Sequence, residues 1–432
     1  MVRNATSSMF ALVWLNLLSI LAIPLYIKIL GVSEWGIVAA CVSLQIIANF
    51  VDAGFSQIVP RWVATAAGNI KLLRSYLILF RRIFFVLALF IFILLQSSAS
   101  YLAHDWFVTS LAEAEALELA IRIFAFQLFF QFINSLYIGF WFGMAQQVAV
   151  NARTCLFGTI KHVVAISVLF FIQSAPWLYT LIFAAVAFLE LAANFQILER
   201  VLRDDAGSHA ETAVFNEKLK LNHFLKEVLI LSVSIIIGLS ASQLDRIVLS
   251  ATLSVKELGI YAVMFSVAAA VLQLQSPWMK ANFPNLVKNV KENTFPTASQ
   301  FLIIISGCLV FGLLPCFIVY TYCDLILDIW LNNNDLRDAG KPVLKILMIS
   351  IGLNSIYSVL YQIIIASSKD KIVLAINIFS TGTTLVFIIF ADENLGVLLG
   401  GYIWLVLTTS QLICGLIWLL MQFNSRYRQS RN

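Results

Sequence analysis

From Ile83 to Leu95 the chain runs without one polar side chain, and eleven other stretches approach that run in length and character. A bilayer's hydrocarbon core is about 30 Å thick and takes about 20 apolar helical residues to cross. Only helices or closed barrels satisfy every backbone group in that medium. The apolar stretches at 8–30, 36–58, 76–98, 117–141, 151–173, 177–199, 226–250, 258–283, 298–322, 341–366, 371–391 and 396–421 therefore predict about twelve transmembrane helices. The second and eighth are the weakest, because they carry Asp52 and the pair Gln273 and Gln275. Composition agrees: 12% of the 432 residues are charged, against roughly 25% in a soluble domain.

The run from Met9 to Ile29 is longer than the apolar core of a cleavable leader, about 7–15 residues, and is expected to be a retained first span. The six cysteines are scattered through apolar runs with no CxxC, as small buried residues are, although Cys316 and Cys323 are close enough to approach one another near a helix end. The histidines at 104, 162, 209 and 223 lack metal-ligand spacing. No metal or other cofactor is expected, and no nucleic-acid partner.

Basic residues near span ends set orientation. With the N-terminus inside, 20 of the 28 lysines and arginines fall on the inner side. Five fall outside (Lys28, Lys256, Arg337, Lys341 and Lys345) and three lie within spans (Arg122, Lys161 and Arg246). The bias supports an even number of spans with both termini cytoplasmic. No connection is long enough for a folded catalytic domain. The polar segment 200–225 reads as a cytoplasmic linker between bundles at 1–199 and 226–432.

Those two halves are related. Val32–Leu44 aligns without gaps on Val255–Val267 at an offset of 223, with six of thirteen positions identical. Six spans per half make the repeats parallel, related by an axis along the membrane normal. The expected fold is an all-α membrane protein, two six-helix repeats around a central cleft that rocks between inner and outer access. The alternative is a duplication kept for packing alone.

Charges inside the membrane cost about 2.5–3.5 kcal/mol on insertion scales, so they usually face a partner or a wet cavity. Lys161 and Glu190, on adjacent spans, are expected at one level and form a candidate pair, structural or functional. Arg122 and Arg246 either draw an anion toward the cleft or contact outer headgroups. Asp245 either neutralises an arginine or carries a coupling proton. Asp52 and Arg61 join a helix-end salt network or serve the cleft. Asn16, Gln45, Asn49, Gln243, Gln273 and Gln275 concentrate in corresponding spans of the two halves, which suggests that those helices line the cleft; interhelical hydrogen bonding explains any one of them equally.

Several motifs carry a resemblance: Leu30-Gly31, Gly36, Asp52-Ala53-Gly54 and Arg61, then Gln243-Leu244-Asp245-Arg246 and Leu258-Gly259-Ile260-Tyr261. In these the chain resembles polysaccharide (O-antigen) flippases of the multidrug/oligosaccharidyl-lipid/polysaccharide exporter superfamily. Val38 departs from the pattern, which often has an aromatic two residues after the span-two glycine; Tyr261 keeps it in the second half.

The resemblance implies flipping of an undecaprenyl-diphosphate-linked oligosaccharide across a bacterial cytoplasmic membrane, for polysaccharide or lipopolysaccharide biosynthesis. It also implies coupling to protons or sodium, with Asp245, Asp52 and Glu190 as candidates. Carrying a diphosphate across a low-dielectric slab demands cationic groups in a hydrated cleft, and Lys161, Arg122, Arg246 and Arg61 are available. A multidrug cation antiporter of the same superfamily is the nearest rival; its cleft would favour acids and aromatics. A lipid II flippase usually has two more spans. A membrane-embedded glycosyltransferase or polymerase needs catalytic groups on larger outer loops than 99–116 or 323–340 provide.

Overall fold

The computed structural model describes residues 2–52, 54–66, 69–204, 236, 240, 242–293, 298–367 and 369–429. In chain order the helices are α1 (Val2–Leu30), α2 (Val32–Ser43), α3 (Gln45–Asp52), α4 (Phe55–Thr65), α5 (Ile70–Tyr101), α6 (Leu111–Gly143), α7 (Gln147–Phe171) and α8 (Pro176–Asp204). There follow α9 (242–252), α10 (Val255–Asn293), α11 (Ala298–Cys308), α12 (Leu314–Thr321), α13 (Cys323–Leu331), α14 (Asn334–Ala366), α15 (Asp370–Phe390) and α16 (Leu398–Gln429). Among the described residues no strand forms; Val108 and Ser254 make an isolated parallel bridge.

Eleven candidate spans are long and apolar enough to cross a membrane, among the described residues. The expected seventh span, 226–250, falls largely outside them, and α9 covers its last turns. The fold is that of an all-helical membrane protein of roughly twelve spans.

The second span departs from the continuous helix expected over 36–58. It turns at Leu44 and breaks again at Gly54, whose φ of 108° is left-handed. Glycine adopts that conformation without the Cβ strain other residues suffer. Hydropathy registers how apolar a stretch is, not which residue can take a positive φ. The chain resumes as α4 and carries Arg61 on that separate helix.

The chain divides into two compact units: Met1–Leu239 with Ser254–Gly259, and Ser240–Leu253 with Ile260–Asn432. In the first, α6 packs on α8, α5 and α4, while α1 lies on α7. Phe80, Phe84, Ile91 and Leu95 of α5 are fully buried, as are Leu117, Ile121, Leu128, Leu136 and Phe140 of α6. Their spacing of four, seven and eight lays one seam along each helix. Phe10, Leu17, Leu21 and Leu25 leave α1 with an exposed apolar flank suited to lipid.

The start of α10 belongs to this unit. Glu257 caps it by accepting from the Ser254 backbone N–H at 3.1 Å and the Ser254 hydroxyl at 2.7 Å. Here the two copies of the repeat meet. A Cβ on Gly36 would overlap the Val255 carbonyl oxygen, and one on Gly259 would stand 2.9 Å from the Gly36 Cα. Only glycine allows backbones this close.

In the second unit α14 packs on α16, α15 on α16, and α12 and α13 on α14. Met279, Ile304, Tyr357, Ile363, Ile364 and Trp418 are among the residues that form its core. Gln275 is buried and donates to the Ser355 carbonyl at 3.1 Å, tying α10 to α14. It therefore has an interhelical bond, one of the two roles its position suggested. Lys341 pairs with Asp324 at 2.6 Å and Arg337 with Asp328 at 2.7 Å, stapling α13 to α14. All six cysteines are free, Cys316 and Cys323 included.

Candidate functional site

The first unit holds a polar network shared by α6, α7 and α8. Glu190 and Asn194 lie one turn apart on one face of α8. Across from them α7 carries Arg153, Thr154 and Lys161, and α6 carries Asn134 and Trp141. Asn194 is fully buried and donates to the Asn134 side-chain oxygen at 2.9 Å. Its own oxygen accepts from Arg153 Nε at 2.8 Å. The Arg153 guanidinium stacks 4.7 Å from the Trp141 ring centre.

Glu190 is shared. It accepts from the Thr154 hydroxyl at 3.3 Å and from the Asn134 side chain, and interacts electrostatically with both Lys161 and Arg153. Lys161 Nζ lies 5.1 Å from the centre of the Phe183 ring. Lys161 and Glu190, the candidate pair, thus interact electrostatically, and Arg153 acts on the same carboxyl group. Lys161 lies about 21 Å from the start of α7, at the helical rise, well within the membrane.

An aromatic cluster continues the network. Tyr26 of α1 and His162 of α7 share a buried hydrogen bond of 2.9 Å between Oη and Nδ1. Tyr26 stacks on Trp35 at 5.8 Å and meets Tyr179 edge-on at 5.0 Å. Tyr179 in turn stacks on Phe183, the ring beneath Lys161, at 4.1 Å.

The second unit has a smaller counterpart. Asp245 is 1% exposed, and its carboxylate accepts from the Tyr261 hydroxyl at 2.5 Å. The Trp404 side chain also hydrogen-bonds to Asp245 and Tyr261. Arg246 lies 5.0 Å from the centre of the Phe265 ring, which packs on Trp404 at 5.7 Å. Gly400 makes room for Tyr261, since a Cβ there would overlap the ring. Each unit thus sets a cation on a phenylalanine face beside a membrane-embedded acid. Such contacts are worth about 0.5–1 kcal/mol when exposed and about 2 kcal/mol when desolvated.

The other residues singled out in the sequence stand apart from these clusters. Arg122 pairs with Glu118 at 2.6 Å and donates to the Gln96 carbonyl at 3.3 Å, which ties α6 to α5 and matches its charge locally. Arg61 is exposed on α4, and Asp52 ends α3 half-buried.

No protein-family model matches the sequence, and no curated protein does. Solved structures do match. The lipid II flippase MurJ, in an inward closed conformation, gives a TM-score of 0.72 at 13% identity, covering 98% of this chain and 88% of that one. An inward-facing MATE-family multidrug resistance transporter of the MOP superfamily gives 0.65 at 13% identity, covering 97% and 99%. The fold is that of the MOP transporters. A second MATE multidrug transporter, solved as a complex, adds a TM-score of 0.64 at 12% identity, covering 98% and 95%. Identities this low speak for the MOP fold alone.

Arg153, Asn134, Asn194, Trp141, Tyr26, His162 and Trp404 were not legible as site residues. Arg153 counts as a helix-end charge when only distance from a span boundary is considered. The usable signal was the one-turn spacing of Glu190 and Asn194 on α8, matched by two asparagine-bonding groups at corresponding depth on α6 and α7.

Proposed function

We propose that this protein is a flippase that moves an undecaprenyl-diphosphate-linked oligosaccharide, an O-antigen or similar repeat unit, from the inner to the outer leaflet of a bacterial cytoplasmic membrane. Its product feeds polysaccharide or lipopolysaccharide assembly. Two bundles, 1–199 and 226–432, alternate access to a hydrated cleft, with both termini cytoplasmic; the linker expected at 200–225 lies outside the described residues from 205 on.

One observation carries this reading: within the first unit Arg153 and Lys161 face a single carboxylate, Glu190. An excess of cation at mid-membrane is costly unless an anion visits it. A diphosphate supplies charge and acceptor oxygens that arginine and lysine bind well. Lys161 and Arg246 are the principal substrate-facing cations. Arg61 meets the headgroup nearer the inner side, and Arg122 contributes through its paired position. Asp245, with Glu190 and Asp52 as further candidates, carries the coupling proton or sodium.

A second reading has its own support. The Tyr26–Trp35–Tyr179–Phe183 cluster and the buried Asp245 suit organic cations, so a multidrug cation antiporter is the alternative. Deleting the protein in its host separates them. Accumulation of lipid-linked oligosaccharide in the inner leaflet supports the flippase; normal distribution with drug hypersensitivity supports the antiporter.

A further inference from the structure

Between α1 and α7 of the first unit runs an open groove of about 500 Å³, within the range of ligand sites. The two helices are parallel, with matching levels fixed by three side chains: Asn4 donates to the Ala145 carbonyl at 3.0 Å, Asn151 to Ser7 Oγ at 2.8 Å, and Trp14 to Thr159 at 3.0 Å. Both N-termini therefore lie at one end, with their positive dipole ends together. No side chain caps the start of α7.

The groove is amphipathic along its length. Arg3, Thr6 and Asn151 line the groove near the two helix N-termini, and Phe10, Ala11 and Cys155 its deeper wall. Neither helix contains an aspartate or glutamate. Arg3 has no acidic partner among the described residues. From Arg3 to Ala11 the groove extends about 12 Å at the helical rise, close to the roughly 15 Å depth of one leaflet's hydrocarbon. A single acyl chain matches that length, whereas a polyprenyl chain far overruns it.

We infer that this groove is a binding site for an anionic glycerophospholipid of the cytoplasmic leaflet. Its phosphate meets Arg3 and the two helix N-termini, and one acyl chain lies along Phe10, Ala11 and Ala152. Anionic lipids are enriched in that leaflet, and basic pockets between helices on that side recognise their headgroups. The inference uses the orientation set by the basic-residue bias and is independent of the transported cargo.

Native mass spectrometry of the full chain in detergent tests it, with phosphatidylglycerol and phosphatidylcholine of identical acyl chains as probes. Ala152 is exposed, so Ala152→Phe fills the groove without disturbing the core. Unchanged melting temperatures in lipid-free detergent check that the variants fold. Wild type is expected to retain one phosphatidylglycerol in preference to phosphatidylcholine. Arg3→Gln should weaken phosphatidylglycerol about fivefold and leave phosphatidylcholine unchanged. Ala152→Phe should abolish the retained lipid. Equal phosphatidylglycerol binding by wild type and both variants overturns the site. Displacement of phosphatidylglycerol from wild type by equimolar undecaprenyl phosphate, with no undecaprenyl phosphate retained by Ala152→Phe, overturns the assigned occupant.

Discussion

Gly36 and Gly259, which the internal repeat aligns across 223 positions, are in contact: a Cβ on Gly259 would lie 2.9 Å from the Gly36 Cα. A Cβ on Gly36 would overlap the Val255 carbonyl oxygen, and a backbone atom cannot rotate away. Gly36→Ala should therefore separate the helices and destabilise the fold by about 1–3 kcal/mol, as overpacking does. Gly382 has nothing within 4 Å of its would-be Cβ, so Gly382→Ala is the matched control. Thermal melts in detergent should show a drop for the first variant and none for the second.

The asparagine bridge makes a separate prediction. Asn194→Leu removes the acceptor of Arg153 Nε and the donor to Asn134 in one step. Leaving buried polar groups unsatisfied costs about 1–3 kcal/mol. Adding Asn134→Leu should then cost less than it does alone, because its partner is already lost. Additive losses in a double-mutant melt would show that the two side chains are not coupled.

In the second unit the Asp245 carboxylate depends on the Tyr261 hydroxyl. Tyr261→Phe keeps the ring against Gly400 and deletes that one bond. A hydrogen bond to a charged group contributes about 1.5–3 kcal/mol, and melting should fall accordingly. In an Asp245→Asn background the same substitution should cost less, which a four-variant comparison of melts can measure.

The α13–α14 staple gives a pH dependence. The hydrogen bond from Lys341 holds the Asp324 carboxyl below the usual aspartate range. A depressed carboxylate contributes stability above its unfolded pKa and loses it as pH falls through its folded value. The melting difference between wild type and Asp324→Asn should therefore be present at neutral pH and vanish in acid. Salt should shrink it, because the pair is exposed.

How much of this was legible in the sequence varies by physical cause. Spans such as α5 and α14 announce themselves because lipid requires long apolar helices, and composition records that requirement directly. The repeat located Gly36 and Gly259 but not their contact, because alignment carries no distances. The break at Gly54 escaped hydropathy because a positive φ leaves no mark on apolarity. Lys161 and Glu190 were legible as isolated charges. Their third partner, Arg153, was not, since its proximity to Glu190 depends on how α7 and α8 rotate about their axes. The Tyr26–His162 bond joins residues 136 apart, beyond the reach of any local pattern.

The proposed function holds that the two basic side chains around Glu190, Lys161 and Arg153, serve an anionic cargo. Its most direct test is the flipping rate of a lipid-linked oligosaccharide diphosphate in proteoliposomes containing wild type, Lys161→Met or Arg153→Met, each first shown to be folded. Both variants should flip at least about tenfold more slowly, equivalent to a loss of about 1.4 kcal/mol in transition-state stabilisation. Wild-type rates in both variants would contradict the account.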